Sequence, residues 1–230
     1  MKIRNLHLWD VSYKEAFAIQ ERLKTDLTLC DRDIPRQIQR IAGADISYTK
    51  GDNRFFATVV LLSFPSLEII EEASCIHKVH FPYIPGLLTF REGPALLKAF
   101  AKLKHEPDII LFDGHGTAHP RGIGLASHMG LWLDKPTIGC AKKKLVGTFD
   151  NVGNERGDYS LLTYKNRTVG AALRTKKNVK PIFVSQGHKI GLKRAVDVTL
   201  CCCSRYRLPE PTRRAHCAVN KIRTEYIASA

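Results

Sequence analysis

The sequence predicts an α/β fold in which an antiparallel meander precedes parallel strands. Three extended stretches follow one another directly, over residues 41–48, 54–64 and 67–79. Strand, helix and strand patterns then alternate from residue 108 to residue 141. Consecutive strands can pair antiparallel through short turns, whereas strands joined by a helical crossover pair in parallel. We therefore expect a mixed sheet flanked by helices, in a single domain over residues 1–230.

The first half of the chain also carries two helix patterns. A helix is predicted over residues 12–30, where Ser12 can cap the first turn together with Glu15. Its apolar residues recur at helical spacing: Ala16, Ile19, Leu23 and Leu27. A second helix is predicted over residues 94–104, after the meander. The strand at 54–64 is rich in β-branched and aromatic residues, which is typical of a buried strand.

The second half begins with the alternating pattern and ends in a helix. Its predicted strands are 108–113, 137–141, 159–164, 168–173 and 181–186, and its predicted helices are 124–133 and 192–203. The last helix is predicted to begin at Pro211, because proline suits the first turn of a helix. Ala215, Val219, Ile222 and Tyr226 lie on one face of it.

The composition indicates a polyanionic partner. Lys and Arg number 36 against 22 Asp and Glu, which gives a formal net charge of +14. The basic residues recur between apolar segments of the second half, as in Lys142-Lys143-Lys144 and Arg213-Arg214. Nucleic acid is therefore favoured over a membrane surface, because no long basic amphipathic helix or membrane-length apolar run is present. Seven cysteines, an odd number, argue against a disulfide framework, and we expect a reduced, cytoplasmic protein.

Three acidic residues lie at the ends of predicted elements. Asp45 is in the first meander strand, Glu92 precedes a predicted helix, and Asp113 ends the strand at 108–113. Converging carboxylates are hard oxygen ligands, so a basic protein that gathers them is predicted to hold Mg²⁺ or Mn²⁺ and to act as a metal-dependent nuclease.

Each acid also has a simpler interpretation. Asp113-Gly114 is a common turn dipeptide, and Asp45 can face solvent by strand alternation. Thr89 and Glu92 fit a capping box. A helix that begins at Thr89, however, would place Pro94 where its ring leaves the Phe90 carbonyl without a donor. We therefore expect the helix to begin at 93–94, with Glu92 ahead of it and free to act as a ligand.

Other candidate residues accompany the acids. Lys142 follows the strand at 137–141 and can clamp a phosphate, although it also begins a run that is typical of a solvated surface. His216 lies at the edge of the buried face of the last helix, where a packed or solvated histidine is the alternative. Pro82-Tyr83-Ile84-Pro85 holds Tyr83 on a stiff protrusion, which is either a wedge for a base stack or a packed turn.

The usual nucleotide-binding signatures are not present. There is no G-x-x-x-x-G-K-[ST] sequence, and His119 stands where the dinucleotide fingerprint requires its third glycine.

Taken in order along the chain, these motifs resemble the endonuclease V family. The resemblance covers most of the sequence and rests on Gly43-Ala44-Asp45-Ile46-Ser47-Tyr48, Pro82-Tyr83-Ile84-Pro85-Gly86, Phe90-Arg91-Glu92, Asp113-Gly114-His115-Gly116, Ala118-His119-Pro120-Arg121, Ala126-Ser127-His128, Gly139-Cys140-Ala141-Lys142, Ser185-Gln186-Gly187-His188 and Tyr206-Arg207-Leu208-Pro209-Glu210-Pro211-Thr212-Arg213. The family implies an RNase H-like core, which agrees with the meander and the alternating half.

The resemblance also implies a role for each candidate residue. Asp45, Glu92 and Asp113 would hold the metal, His216 would lie near its water, and Lys142 would contact the phosphate. The nucleic-acid contacts would be Pro82, Tyr83, Ile84, His119 and Lys142, with Tyr83 as the wedge. The base pocket would be formed by Gly86, Leu88, Gly114, Gly124, Leu125 and Leu145.

The implied reaction is hydrolysis of the second phosphodiester bond 3′ to inosine, with Mg²⁺ as cofactor and Mn²⁺ able to replace it. It would leave a 3′-hydroxyl and a 5′-phosphate. The implied partner is inosine-containing DNA, with RNA left open, and we expect a monomer with no membrane contact and a role in DNA repair. Two alternatives remain: another RNase H-like nuclease of the junction-resolvase type, and a nucleic-acid-binding protein without catalysis.

Overall fold

A computed structural model describes residues 1–49 and 53–229, and all bounds and counts below refer to these residues. The strands are β1 (Arg40–Tyr48), β2 (Arg54–Ser63), β3 (Ile69–Lys78), β4 (Ile109–Phe112), β5 (Thr137–Ala141), β6 (Tyr159–Tyr164), β7 (Arg167–Leu173) and β8 (Ile182–Gln186). The helices are α1 (Tyr13–Leu23), α2 (Leu88–Phe100), α3 (Leu125–Leu133), α4 (Leu192–Cys201) and α5 (Glu210–Ala228).

All the described strands form one mixed sheet in the order β3-β2-β1-β4-β5-β8-β7-β6. The meander pairs antiparallel, while β1, β4 and β5 pair in parallel. The remaining strands of the second half pair antiparallel. The predicted α/β sheet, with an antiparallel meander, parallel strands and flanking helices, is confirmed.

The central strands of the sheet are buried on both faces, whereas the edge strands β3 and β6 are largely exposed. Successive residues of a strand point to opposite faces, so Ala42 belongs to the apolar layer under α2 and α3, and Ile41 to the layer under α4 and α5. Leu96, Phe100 and Trp132 contribute to the first layer. The central strands must bury both faces, which explains why β4 consists of Ile109, Ile110, Leu111 and Phe112.

The predicted start of α2 is wrong. The helix begins at Leu88, so Pro94 lies in its interior and Glu92 lies within the helix rather than ahead of it. Pro94 cannot donate to the Phe90 carbonyl, a defect that costs about 3 kcal/mol in a helix interior. Burial of Thr89 and Phe90, each 1% exposed, offsets this cost. Burial of these side chains therefore determines where the helix begins, and the helix tolerates the proline.

Other helix bounds also differ from prediction, and α2 ends at Phe100 rather than at 104. The capping box of Ser12 and Glu15 is present, but α1 ends at Leu23 and a 3₁₀ turn follows at Lys24–Asp26. Leu27 lies in an extended segment after this turn. It still packs against the apolar cluster that contains Leu23. At the other end of the chain α4 ends at Cys201 rather than 203, and α5 begins one residue before Pro211.

Helix α5 crosses β1 at Gly43, and this close approach positions one side of the site. A methyl group on Gly43 would overlap the backbone of Pro211 and lie 2.6 Å from the amide nitrogen of Thr212. Only hydrogen fits between the strand and the first turn of the helix. No described helix combines the length and the apolar character needed to cross a membrane.

We predict that Gly43→Ala lowers the free energy of unfolding by about 1–3 kcal/mol, because α5 must move away from β1 to admit the methyl group. Guanidinium denaturation measures the change. Gly114→Ala is the matched control, since its new Cβ would lie 3.4 Å from the nearest atom, Leu125 Cδ2. A loss for Gly43→Ala no larger than that of the control would contradict the close approach.

Candidate active site

The fold brings the three predicted acids together. β1 and β4 are parallel neighbours with Ala44 opposite Phe112, so Asp45, the next residue within β1, and Asp113, the first residue after β4, lie side by side. Glu92 reaches the same place from α2, on the face of the sheet that this helix covers. Asp45 and Asp113 both act electrostatically on Glu92, which shows that the three carboxyl groups share one site.

Burial and the nearby negative charges raise the pKa values of Glu92 and Asp45. Burial, followed by the charges of Asp45 and Asp113, raises the pKa of Glu92 to about 8. Burial also raises the pKa of Asp45, although its hydrogen bond with His216 opposes the shift. The repulsion among the three carboxyl groups therefore favours binding of a cation beside Glu92.

Two basic side chains touch the acids. Lys142 Nζ lies 2.6 Å from Asp113 Oδ2, and His216 Nδ1 lies 2.7 Å from Asp45 Oδ2. Lys142 comes directly after β5, the parallel neighbour of β4, while His216 lies in the second turn of α5. All five predicted catalytic residues therefore lie in one place, and their assigned roles stay predictions.

The sequence did not reveal the residues that orient His216. Asn220 Nδ2 lies 3.2 Å from His216 Nε2 and donates to the His216 carbonyl oxygen at 2.9 Å. The Ser47 hydroxyl donates to Asn220 Oδ1 at 3.0 Å. The amide of Asn220 is thus fixed from both ends. The sequence contained one indication of this contact, because residues four apart on a helix, such as His216 and Asn220, are neighbours on its surface.

The donor set suits a hard divalent cation. Carboxylate oxygens are the ligands that Mg²⁺ and Mn²⁺ prefer, and Glu92 forms no ion pair with any described residue. Among the described residues no three acidic, histidine or cysteine side chains stand ready in a ligating arrangement. Asp45 and Asp113 instead contact His216 and Lys142, so a cation would replace or share these contacts.

A cavity of about 220 Å³ adjoins the acids. All six residues predicted for the base pocket line it: Gly86, Leu88, Gly114, Gly124, Leu125 and Leu145. His115 and Thr89 also line it and were not predicted. Gly86 adopts a φ of +80°, which explains the glycine, and its carbonyl oxygen accepts hydrogen bonds from Gln20 and Arg121.

The predicted nucleic-acid contacts lie at two depths. Tyr83 is 69% exposed at the mouth of the cavity, within the segment that joins β3 to α2. Arg91 anchors this segment by donating to the Phe81 carbonyl oxygen at 2.9 Å. His119 is instead buried in the cavity wall, where burial lowers its pKa to about 4 and keeps it neutral. A contact of His119 with nucleic acid therefore requires entry into the cavity.

Comparisons with known proteins agree on one family. The family model described as Endonuclease V matches residues 21–217. A protein of Dehalococcoides mccartyi named Endonuclease V is 45% identical over 222 residues, which cover 96% of this chain and 99% of that protein. The crystal structure of the endonuclease V of Streptomyces avermitilis superposes with a TM-score of 0.91 at 39% identity, covering 96% of each chain.

A third comparison includes nucleic acid. The crystal structure of Ciona intestinalis endonuclease V superposes with a TM-score of 0.81 at 30% identity, covering 93% of this chain and 98% of that one. That protein was crystallised in complex with a 24mer DNA containing an inosine followed by a ribo-adenosine.

We predict that Glu92→Gln stabilises the protein in chelator at alkaline pH. The folded pKa of Glu92 is raised from 4.5 to about 8, so the stability that its protonated form supplies is lost as pH rises between these values. Glu92→Gln lacks this loss, so its stability at pH 9 relative to pH 5 should exceed that of the wild type by about 3–5 kcal/mol, because each unit of pKa shift is worth about 1.4 kcal/mol. Chemical denaturation at both pH values measures it.

The exposed carboxylate of Glu68 supplies the matched control. Glu68→Gln should leave the pH dependence of the unfolding free energy as it is in the wild type. Equal behaviour of the two variants would mean that Glu92 is not held in a charged, buried cluster.

Proposed function

The chain belongs to the endonuclease V family, and we propose that it recognises inosine in nucleic acid and hydrolyses the second phosphodiester bond on its 3′ side. The products would be a 3′-hydroxyl and a 5′-phosphate, as suits an enzyme of DNA repair. The observation that carries the proposal is one surface that places three carboxylates beside a neutral cavity with Tyr83 at its mouth.

We assign Asp45, Glu92 and Asp113 as the residues that hold Mg²⁺, with Mn²⁺ able to replace it. When bound, this cation would neutralise charge on the phosphate and lower the pKa of a bound water. The raised pKa of Glu92 and its lack of an ion-pair partner among the described residues support the assignment, because both indicate missing positive charge.

Lys142 and His216 contribute on opposite sides of the acids. The side chain of Lys142 is 41% exposed and its ammonium contacts Asp113 Oδ2, so it can also reach a phosphate oxygen. With Nδ1–H donating to Asp45, His216 accepts at Nε2 from the Asn220 amide. This arrangement holds the ring and Asp45 in fixed positions, which is how positioned groups lower a reaction barrier.

The cavity suits a neutral base. Its walls are largely backbone and aliphatic side chains, and the lining includes no acidic or cationic residue at neutral pH. Burial lowers the pKa of His119 to about 4 and also lowers the pKa of His115. Neither histidine therefore adds a positive charge to the lining at neutral pH. Recognition would therefore rest on shape and on hydrogen bonds to backbone amides and neutral imidazoles, which fits hypoxanthine.

The cavity and the exposed tyrosine also separate this proposal from its alternatives. A junction-resolvase-type nuclease needs the acids but neither a base cavity nor a wedge. A nucleic-acid-binding protein without catalysis needs only the basic charge. The Ciona intestinalis complex, whose DNA contains an inosine followed by a ribo-adenosine, supports both a base cavity that binds inosine and tolerance of a ribose next to it.

The decisive experiment is a cleavage assay on matched strands with inosine or guanosine, as DNA and as RNA, with Mg²⁺ or EDTA. We expect cleavage of inosine strands with Mg²⁺ only. Asp113→Asn should cut at least about a hundredfold more slowly while its affinity for the inosine strand is kept, because a ligand charge is removed but the basic surface is not.

Asp197→Asn provides the control, since Asp197 pairs with Lys193 on the exposed face of α4. It should cleave like the wild type. Cleavage of guanosine strands at the same rate would contradict inosine recognition. Undiminished turnover by Asp113→Asn at saturating Mg²⁺ would remove Asp113 from the site.

We predict that Tyr83→Ala selectively weakens binding to inosine strands. A wedge ring replaces the stacking that disappears when a base leaves the strand, which is worth about 1–3 kcal/mol per base. Affinity for guanosine strands should change little. Tyr159→Ala, which removes another half-exposed tyrosine on β6, should weaken neither. Equal losses on both strands for Tyr83→Ala would assign it a general contact or a role in the fold.

A further inference from the structure

A second cavity shares the side chain of His119 with the base cavity. Its volume is about 360 Å³, and four of its lining residues are basic: Lys24, Arg121, Lys165 and Arg167. We call these four residues the basic groove. No acidic side chain lines this cavity. The groove is therefore a concave surface of one sign, which concentrates anions.

The basic side chains of the groove have few acidic partners. Arg121, Lys165 and Arg167 form no ion pair with any residue that the structure describes, whereas Lys24 approaches Glu21 at 3.9 Å on the surface. An exposed pair of this length contributes little. Arg121 donates to Gln20 Oε1 at 2.6 Å and to the Gly86 carbonyl oxygen. It also lies over the Phe17 ring and is attracted by Glu21, with which it forms no ion pair. Most of its positive charge is therefore uncompensated.

The hairpin between β6 and β7 places a lysine where the backbone does not favour one. Lys165 and Asn166 form its two-residue turn, with φ values of +50° and +57°. Turns of this kind favour Asn and Gly at both positions, because other side chains are strained at positive φ. Asn166 fits the rule and Lys165 does not, so the turn by itself does not account for a lysine at the tip.

The hairpin is fixed to the loop that carries the base cavity. The Thr117 hydroxyl donates to the Val169 carbonyl oxygen at 2.9 Å, which ties β7 to residues 113–124. His119 lines both cavities, and Arg121 reaches from the groove to Gly86 in the base cavity. Because the two cavities adjoin at His119, a strand whose base entered the base cavity would have its backbone close to the groove.

We propose that the basic groove binds backbone phosphates of the nucleic-acid strand that flank the recognised base. This inference rests on the proposed function, because it needs a strand positioned at the base cavity. The ligand is the phosphodiester itself, so the groove adds affinity without reading sequence. It also adds equally to inosine and guanosine strands, in contrast to the base cavity.

The test compares Lys165→Asn/Arg167→Gln with the wild type. Asparagine removes the charge of Lys165 and suits its positive φ, so the hairpin should stay folded; thermal unfolding checks this. Dissociation constants for single strands are measured across a salt series. We expect the log-log slope to become shallower by about 0.7 for each phosphate that the variant no longer binds, with the same fold-loss of affinity for inosine and guanosine strands.

Lys104→Gln is the matched control, since Lys104 is exposed near β3, at the other edge of the sheet from β6. It should keep the wild-type slope. Strands shortened one nucleotide at a time from each end add a second measurement. The difference between the double variant and the wild type should vanish once a strand no longer reaches the groove.

A double variant that is folded but keeps the wild-type slope would contradict phosphate binding by the groove. A loss confined to inosine strands would also overturn it, because it would assign the hairpin to base recognition. These outcomes are distinct from failure of the proposed function, which would appear as wild-type protein that does not cleave inosine strands with Mg²⁺.

Discussion

Mutual repulsion among three carboxylates is the constraint on which the site depends. Left to themselves, Asp45, Glu92 and Asp113 would separate or take up protons, and the pKa of Glu92 near 8 reports that tendency. The fold opposes it from three directions. The parallel pairing of β1 with β4 holds the two aspartates next to each other. Trp9 packs closely on Gly93, where a methyl group would lie 2.5 Å from the indole, and this contact fixes the position of α2 and of Glu92. The close crossing of α5 over Gly43 brings His216 to Asp45.

The sequence predicted the parts of the site that follow from local pattern. Asp113 was identifiable because a run of four apolar residues ends in a carboxylate, and Asp45 because it interrupts the apolar residues of the first meander strand. The helix around Glu92 was not predicted correctly, since the rule against interior proline competes with burial of Phe90, and only the packed structure decides between them. Ser47 was missed because its partner Asn220 is far away in the sequence, whereas Asn220 was missed although it lies only four residues from His216. The basic groove was missed because it joins the end of α1, a loop and a hairpin, which are far apart in the sequence.

Three electrostatic environments lie next to one another on this surface. The acids form a negative site that suits a cation, the base cavity is neutral because burial keeps His119 uncharged, and the basic groove is positive without counter-charges in its lining. Each environment matches a different part of a nucleic-acid strand near the proposed cleavage point. Affinity, base selectivity and catalysis can therefore be altered separately by substitutions in different residues.

The segment that runs from Tyr83 to Glu92 has a geometric consequence. It begins with an exposed ring between two prolines and leads through a short turn into α2, whose second turn carries the acid. A helix has a fixed rise of about 1.5 Å per residue, so α2 keeps Glu92 at a constant distance from Leu88, a residue that lines the base cavity. Under the proposed function, the distance from the recognised base to the acids would then be set within the protein. The neighbouring nucleotides would not need to be read to position the cut.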